Sequence, residues 1–298
     1  MLREPVSRKR SAKITLAVKS VCDLTKPEDP GIIEEGSGAA ASADTAGGLT
    51  KGFLIMEHTV SSGYTLRLLD PDNKEELKEV QRLRYTYLLR EFDGEKSDPD
   101  GLDDDGYDAY ADSIVVTENR TGRIVGTYRL ATEDTLRGAP FKSEEEFDIS
   151  QLKKAEGGIV EAGRAVVHGD FRDGAVISLL WKGLISYAKD RGLRYIIGTC
   201  SLHGTDPSVY EDCTSVLREK YLCEDFDIRA VREPFEYGMK TGLSPRDAGI
   251  PGLLSAYLRF GAAVSRNGFI DRAFNCCDVM IVLDLEDMND RLIKRITG

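Results

Sequence analysis

Charged residues and glycines near the middle of the chain have the arrangement of an anion-binding site. An apolar run at 159–167, which carries Glu161 and Arg164 among small and β-branched residues, predicts a strand. A polar turn at 168–174 follows, with Arg172 and two glycines, and a helical pattern begins directly after it. Unpaired N–H groups and the positive dipole end at such a helix start suit a phosphate or pyrophosphate. Any strand–turn–helix unit of an α/β protein shares this layout, so the pattern alone leaves the ligand open.

The elements around this segment predict a mixed α/β domain. Apolar residues of the central helix recur at three- and four-residue intervals, which is typical of core packing, although its Trp181 face could instead line a ligand tunnel. The helix is expected to end before Gly192. We expect helices on both faces of one central mixed sheet. The predicted strands are 64–69, 113–117, 123–130, 194–200 and 279–283, and the predicted helices begin at Asp70-Pro71, at Asp206-Pro207 and near Leu253, the last ending at Ala263.

The composition is that of an ordinary globular domain. The 298 residues are 41% hydrophobic and 31% charged, and no apolar run reaches the roughly 18 residues of a membrane span. Charges interrupt the first apolar residues, so we predict no secretory signal and a cytoplasmic location. The formal net charge of -11 argues against a nucleic-acid partner.

Residues 1–60 are predicted to be a disordered extension of a domain at 61–298. They combine a basic start, an acidic patch with prolines and the small-residue run GSGAAASADTAGG, and they cannot bury enough surface to fold alone. A flexible tail, or a chain that truly starts at Met56, is the simpler interpretation. A basic arm that makes peripheral contact with anionic lipid at the inner face of the membrane is the alternative.

Cysteine and histidine usage predicts reduced thiols and no metal site. The six cysteines have no CxxC spacing, which favours free thiols over a disulfide framework. The adjacent Cys276 and Cys277 would invite a metal interpretation, but the three histidines are not spaced as a ligand pair.

Seven segments, in order along roughly residues 64–290, carry a resemblance to a known family. They are LRYTYLLREF (83–92), DDDGYDAYADSIVV (103–116), VGTYRL (125–130), EEFDIS (145–150), VEAGRAVV (160–167), GTCSLHG (198–204), and LLSAYLRFGA through AFNCCDVMIVL. Together they resemble the ornithine N-acyltransferases that make lyso-ornithine lipid. This family is a branch of the GNAT acyltransferase superfamily whose core is similar to the acyl-homoserine-lactone synthases. The resemblance implies a GNAT-type fold and N-acyltransferase activity.

The resemblance assigns the central turn to an acyl donor. The sequence FRDG, Phe171–Gly174, stands where GNAT enzymes hold the pantetheine and pyrophosphate of a thioester. The donor is then the 4'-phosphopantetheine thioester of an acyl carrier protein, or an acyl-CoA, and no cofactor is bound permanently. The implied donor-binding residues are Val166, Val167, Arg172, Asp173, Gly174 and Ala175.

The resemblance also implies catalytic residues. An α-ammonium group must lose a proton before it attacks a thioester, and in the related synthases the glutamate of an E-x-x-R strand motif, here Glu161 with Arg164, is thought to accept it. Strand alternation places these two side chains on opposite faces unless a bulge intervenes. A salt-bridged pair that orders the sheet is the alternative. Arg129 is assigned with them, and its mid-sheet guanidinium must meet a carboxylate of the substrate or of the acidic loop.

The acidic loop before the 113–117 strand is implied in amino-acid recognition. Asp105, Asp108 and Asp112 lie in the segment that in this family binds the amino-acid substrate or orders the arginines, although such a run is also typical of a solvated loop. Ser113, the fourth predicted substrate-binding residue, stands where the family commonly has a histidine. A hydroxyl donates or accepts a hydrogen bond but cannot replace imidazole as a base.

The implied reaction moves a long, 3-hydroxylated fatty acyl group from acyl carrier protein to the α-amine of ornithine or a similar amino acid. The alternatives are an enzyme like the acyl-homoserine-lactone synthases, an acetyl-CoA-dependent acetyltransferase of small amines, and a catalytically impaired protein that binds acyl thioesters. Acyl carrier protein is acidic, as this chain is, so docking requires a basic patch. The candidate residues are Arg172, Arg218, Lys220, Arg229, Arg232 and Lys240.

Overall fold

The computed structural model describes residues 58–60, 63–91 and 100–288. Of the predicted extension at 1–60, only the strand His58–Val60 falls within these ranges. The disorder and the lipid contact predicted for the remainder lie outside the described residues.

Ten of the twelve strands in the described ranges form one sheet. In chain order the strands are β1 (His58–Val60), β2 (Tyr64–Leu68), β3 (Asp112–Glu118), β4 (Arg123–Thr132), β5 (Phe147–Asp148), β6 (Ile159–Val167), β7 (Tyr195–His203), β8 (Arg229–Ala230), β9 (Pro234–Phe235), β10 (Ala263–Val264), β11 (Gly268–Asp271) and β12 (Cys276–Asp284). The sheet order is β1-β2-β3-β4-β6-β7-β12-β11-β9, with β10 also on β12, and β5 pairs with β8 separately. Because β6 and β7 run parallel while the other pairs are antiparallel, the predicted mixed sheet is confirmed.

Five α-helices and several short 3₁₀ turns connect the described strands. The helices are α1 (Lys74–Tyr87), α2 (Glu133–Leu136), α3 (Ala175–Asp190), α4 (Glu211–Lys220) and α5 (Gly252–Phe260). The prediction for α3 is confirmed, since it begins after Gly174 and ends before Gly192.

Three predicted helix boundaries are wrong for local reasons. Asp206 caps the short 3₁₀ turn Pro207–Tyr210, and α4 itself begins only at Glu211. Helix α1 is capped by Asn73, whose side chain accepts a hydrogen bond from the N–H of Glu76. Asp70 instead closes a turn by accepting the N–H of Asp72, so Asp70-Pro71 precedes the helix. Helix α5 ends at Phe260 because Gly261 adopts a φ of 105°, a left-handed conformation that glycine tolerates and that stops a helix.

Helices cover both faces of the sheet, as predicted. On one face, Val80 and Leu83 of α1 pack against Val115 of β3 and Val166 of β6. On the other face, Leu180 of α3 belongs to the main core, which also includes α4 and α5. The strands of the sheet centre are therefore buried on both sides and present few places where a ligand can enter.

Trp181 is a core residue. Its side chain is 2% exposed, and its ring lies 4.5 Å from the rings of both Tyr257 and Phe260, measured between centroids. This aromatic packing stabilises the contact between α3 and α5. The prediction of core packing is confirmed for Trp181.

The parallel strands β6 and β7 separate soon after they meet. They pair only from Ile159 with Tyr195 to Glu161 with Ile197, although both strands continue for several residues. Gly198 stands where they part, and a Cβ there would overlap the carbonyl oxygen of Ala162. The close approach at this position requires glycine.

We expect Gly198→Ala to destabilise the protein by about 1–3 kcal/mol, since backbone cannot move aside as a flexible side chain can. Urea denaturation measures the change. Gly163→Ala on β6 is the matched control, because a Cβ there meets nothing within 4 Å. Equal stability of the two variants would contradict the close approach.

Candidate active site

A β-bulge in β6 shapes the site. Arg129 of β4 pairs with Gly163 and Thr127 pairs with Val166, so residues 164–165 stand opposite a single residue of β4. The extra residue breaks the side-chain alternation of the strand. The sequence did not decide whether β6 contains a bulge, and the structure shows that it does.

The bulge brings Glu161 and Arg164 to one cavity. Arg164 adopts a φ of 54°, a left-handed conformation that is uncommon for a residue with a side chain. Both residues line a cavity of about 450 Å³ at the place where β6 and β7 separate. Its walls come from β4, β6, β7, β12 and the turn Lys142–Glu145, with Arg129, Gly198, Ser201 and Asp278 among the lining residues.

The carboxylate of Glu161 is held by backbone donors. Its Oε1 accepts the N–H of Ser143 at 2.7 Å, and its Oε2 accepts the N–H of Lys142 at 2.8 Å. The hydroxyl of Tyr107 also donates to Oε2, at 3.3 Å. Glu161 is only 6% exposed, so its one accessible edge faces the cavity. No arginine is among these three contacts, which distinguishes Glu161 from the salt-bridged partner that was the alternative.

Arg129 and Arg164 are oriented by the acidic loop. Arg129 donates to both carboxylate oxygens of Asp105, at 2.8 and 3.0 Å. Arg164 donates through Nε to Asp103 at 2.8 Å and through Nη2 to Asp105 at 3.3 Å. The expected carboxylate partner of Arg129 thus comes from the loop, and the two guanidiniums lie between that loop and the cavity.

Arg84 of α1 completes this network from the side away from the cavity. Its fully buried guanidinium donates to Asp108 at 2.8 and 2.6 Å and forms an ion pair with Asp103 at 3.0 Å. Three arginines and three aspartates therefore compensate one another in what we call the Arg–Asp cluster, made of Arg84, Arg129, Arg164, Asp103, Asp105 and Asp108. The sequence analysis missed Arg84, although its spacing of four from Val80 placed it on the buried face of α1.

The arginines hold the loop carboxylates in the charged form. Burial by itself raises the pKa of Asp105, but hydrogen bonds and charge from Arg129, with the charge of Arg164, lower this pKa well below its ordinary value. Arg84 lowers the pKa of Asp108 in the same way. Neither carboxylate lines the cavity, and both are committed to arginines.

Asp112 and Ser113 lie apart from the cavity. The hydroxyl of Tyr187 on α3 donates to Asp112 at 2.7 Å, and Arg191 lies 3.6 Å from the same carboxylate. Ser113 is 5% exposed and stands opposite Arg129 in the β3–β4 register. Both line a separate cavity of about 270 Å³ beside Lys74. Of the four predicted substrate-binding residues, Asp105 and Asp108 therefore contact the arginines of the first cavity, whereas Asp112 and Ser113 do not line that cavity.

The predicted donor loop is ordered by its own contacts. Arg172 donates through Nε to the carbonyl of Val167 at 3.0 Å, and the N–H of Ala175 donates to Asp173 at 3.0 Å. Gly174 precedes α3 with a φ of 104° and supplies no side-chain cap. The side chain of Val166 packs under α1 and is 3% exposed, so only the backbone of this residue is open to a donor.

The cysteines within the described ranges are buried and unpaired, as predicted. Burial raises the pKa of Cys276 and of Cys200, so both are neutral thiols. One group of potential metal-ligand atoms, from Asp271, Cys276 and Asp278, lies within 4.8 Å of one another. The sequence analysis considered Cys276 for a metal with Cys277, and not with these two aspartates.

Comparison with known proteins gives the same class as the geometry. The family model described as Acetyltransferase (GNAT) domain matches residues 83–182. L-ornithine N(alpha)-acyltransferase of Rhodobacter capsulatus is 31% identical over 241 residues, covering 76% of this chain and 92% of the relative. The protein of the same name from Brucella abortus is 29% identical over 238 residues, covering 73% of this chain and 84% of the relative.

Two solved structures show a weaker likeness. A CoA-dependent acyl-homoserine lactone synthase with MTA matches at 16% identity and a TM-score of 0.46, covering 78% of this chain and 88% of that one. A putative acetyltransferase from Salmonella typhimurium with acetyl-CoA matches at 11% identity and a TM-score of 0.40, covering 76% and 95%.

The mixed sheet with helices on both faces and the family model define a GNAT-type acyltransferase, which confirms the expected fold class. The chain belongs to the L-ornithine N(alpha)-acyltransferase family, and the protein is an N-acyltransferase. No helix among the described residues is long and apolar enough to span a bilayer.

We expect Arg84→Leu to cost about 3–5 kcal/mol of stability, because it removes one of the two arginines that compensate each of the buried carboxylates of Asp103 and Asp108. Urea denaturation gives the value. The control Arg120→Ala removes an exposed guanidinium, which pairs only at the surface, and should change stability little. A small loss for Arg84→Leu would show that the cluster contributes little to stability.

We expect the stabilising contribution of the ionised Asp105 carboxylate to be lost at acid pH. Its pKa is lowered from 3.8 in the folded protein, so its contribution is complete above about pH 5 and is lost as the pH falls through the unfolded and then the lowered pKa. The stability difference between wild type and Asp105→Asn should therefore shrink between about pH 5 and pH 2, as measured by urea midpoints. The exposed Asp72→Asn is the control. A difference that stays constant over this range would contradict the ion pairing.

Proposed function

We propose that the protein transfers a 3-hydroxy fatty acyl group from the phosphopantetheine thioester of acyl carrier protein to the α-amine of ornithine. The product is a lyso-ornithine lipid. The observation that carries the proposal is the placement of Glu161 and Arg164 on one cavity, at the separation of β6 and β7. The names of the relatives supply the acceptor and the bond that is made.

In the proposed reaction Glu161 accepts the proton that the α-ammonium group must lose, directly or through one water, and releases it to solvent. The neutral α-amine then attacks the thioester carbonyl, the C–N bond forms and the C–S bond breaks. The second proton of the nitrogen passes to the sulfur, which leaves as a thiol. The backbone N–H groups of Lys142 and Ser143 fix the carboxylate in place, so little reorganisation is needed when the proton moves.

Arg129 and Arg164 suit the α-carboxylate of the acceptor. Both guanidiniums line the cavity and have their orientation set by loop carboxylates behind them. A planar guanidinium binds a carboxylate with good geometry, and binding there would leave the α-amine beside Glu161. We therefore assign Asp105 and Asp108 to positioning the arginines instead of binding the substrate directly.

The gap between β6 and β7 suits the pantetheine arm. Beyond Glu161 and Ile197 the two strands no longer pair, so backbone groups along their facing edges are available to the amides of an extended ligand. The start of α3 at Gly174 suits a phosphate, although Asp173 occupies the N–H of Ala175 and would have to turn away.

The donor is proposed to be acyl carrier protein, but the predicted basic patch is divided. Lys240 forms ion pairs with Glu211 and Asp212, and Arg229 pairs with Asp227. Arg232 is the member that lines the cavity. Acyl-CoA would need only the gap between β6 and β7 and the start of α3.

We propose a cytoplasmic enzyme whose product leaves toward the inner face of the membrane, where peripheral contact would occur.

The test is mass spectrometry of products from the purified protein with 3-hydroxyacyl carrier protein or 3-hydroxyacyl-CoA and an amino-acid panel. We expect N-acyl-ornithine, and we expect Glu161→Gln to lower kcat by about 10²-fold or more, since it removes the proton acceptor while keeping the shape. Glu144→Gln is the matched control, because Glu144 belongs to the same turn region but pairs with Lys153 outside the cavity.

Two results would contradict the proposal. Full activity of Glu161→Gln would leave Glu161 a structural residue, and the absence of acylated amino acid from every acceptor would favour a protein that binds acyl thioesters without turnover.

A further inference from the structure

One part of the cavity lining is acidic. It comes from β11, from β12 and from the residue that follows the Lys142–Glu145 turn. Glu146, Asp271 and Asp278 all belong to it. Asp278 lies in β12 and is 3% exposed, although it carries a carboxylate. These residues have no counterpart among the predicted site residues, and we call them the acidic end.

Several oxygens at this end have no hydrogen-bond partner. Among the described residues nothing donates to Oδ1 of Asp278 or to Oε2 of Glu146, and both atoms are buried from solvent. The Oγ of Ser143, which lines the same cavity and is 3% exposed, is also unpaired. Buried polar atoms are nearly always satisfied in folded proteins, so three such oxygens around one cavity point to a ligand that donates hydrogen bonds.

The carboxylates of the acidic end form no close ion pair among the described residues, although the charge of Arg164 acts on Asp278. In the part of the chain that the structure describes, no ion pair holds Glu146 or Asp278, whereas every carboxylate of the Arg–Asp cluster is paired. Burial, and then the neighbouring carboxylates, raise the pKa of Glu146. Burial also raises the pKa of Asp278, although hydrogen bonds with Ser201 and Cys276 lower it in part. A cation at this place would relieve both the repulsion and the desolvation.

We propose that the acidic end binds the side-chain ammonium of the acceptor and thereby selects dibasic amino acids over neutral ones. This inference rests on the proposed function. An ammonium group has three N–H donors and no acceptor, which matches the unpaired oxygens of Asp278, Glu146 and Ser143. The acceptor would then lie with its carboxylate toward Arg129 and Arg164, its α-amine at Glu161 and its side-chain amine at the acidic end.

A metal ion is the competing occupant of this end. Asp271, Cys276 and Asp278 have ligand atoms close enough to share one ion. A thiol binds a metal as the thiolate, however, and burial beside Asp278 raises the pKa of Cys276. The thiol instead donates to Oδ2 of Asp278 at 3.3 Å, which leaves Oδ1 for the ammonium.

The experiment compares ornithine with norvaline, which has the same carbon chain and no side-chain amine. The readout is the ratio of kcat/KM for the two acceptors, measured with one acyl donor, in wild type, Asp278→Asn and Glu146→Gln. We expect wild type to favour ornithine and each variant to lower the ratio about tenfold to a hundredfold, as is typical for the loss of a charge-assisted hydrogen bond. Asp284→Asn, also in β12 but paired with Arg194, should keep the wild-type ratio.

The outcomes separate this inference from the proposed function. Equal use of ornithine and norvaline by wild type, or an unchanged ratio in Asp278→Asn and Glu146→Gln, would overturn the acidic end as a selector while N-acylation stands. Acylation of neutral amines alone would overturn both. If the purified protein contains stoichiometric metal and Asp278→Asn removes it, the acidic end is a metal site and the inference is overturned.

Thermal midpoints of the variants at or above wild type would support a binding role, because removing an uncompensated buried charge does not weaken folding.

Discussion

The fully buried guanidinium of Arg84 holds the acidic loop against the sheet, and the site depends on that contact. It pairs with Asp103 and Asp108, and Asp103 in turn orients Arg164. A guanidinium this deep in a protein is tolerated only when its charge is compensated, so helix α1, the loop and strand β6 must come together as one unit. The two arginines that line the cavity gain their orientation from this unit without any ligand present.

The second constraint is the geometry of β6. The bulge at residues 164–165 turns Arg164 onto the cavity, and the loss of pairing with β7 after Glu161 opens the space in which a substrate can lie. Continued parallel pairing would have satisfied more backbone groups but left no cavity. The sheet thus gives up local hydrogen bonding at its centre, and functional sites commonly carry such a departure from regular structure.

Charge is divided within the cavity. The Arg–Asp cluster is internally neutral and presents guanidiniums, while Glu146 and Asp278 are acidic and uncompensated. Glu161 lies on the same cavity, held by backbone N–H groups. A cavity lined by guanidiniums and by carboxylates suits a zwitterionic acceptor with an added positive charge, and it opposes a purely anionic or apolar one.

The sequence by itself determined the α/β class and the strand–turn–helix of β6 and α3, because these follow from periodicity and glycine placement. The candidates Glu161, Arg164 and Arg129 came from the resemblance of short motifs to the N-acyltransferase family. The sequence did not determine which aspartates serve the site. Asp105 and Asp112 look alike in one acidic loop, yet one pairs with Arg129 and the other with Tyr187 on α3. Only the tertiary structure decided this division, the use of Arg84 and the acidic end, because each depends on residues far apart in the chain meeting in a medium where an unpaired charge is costly.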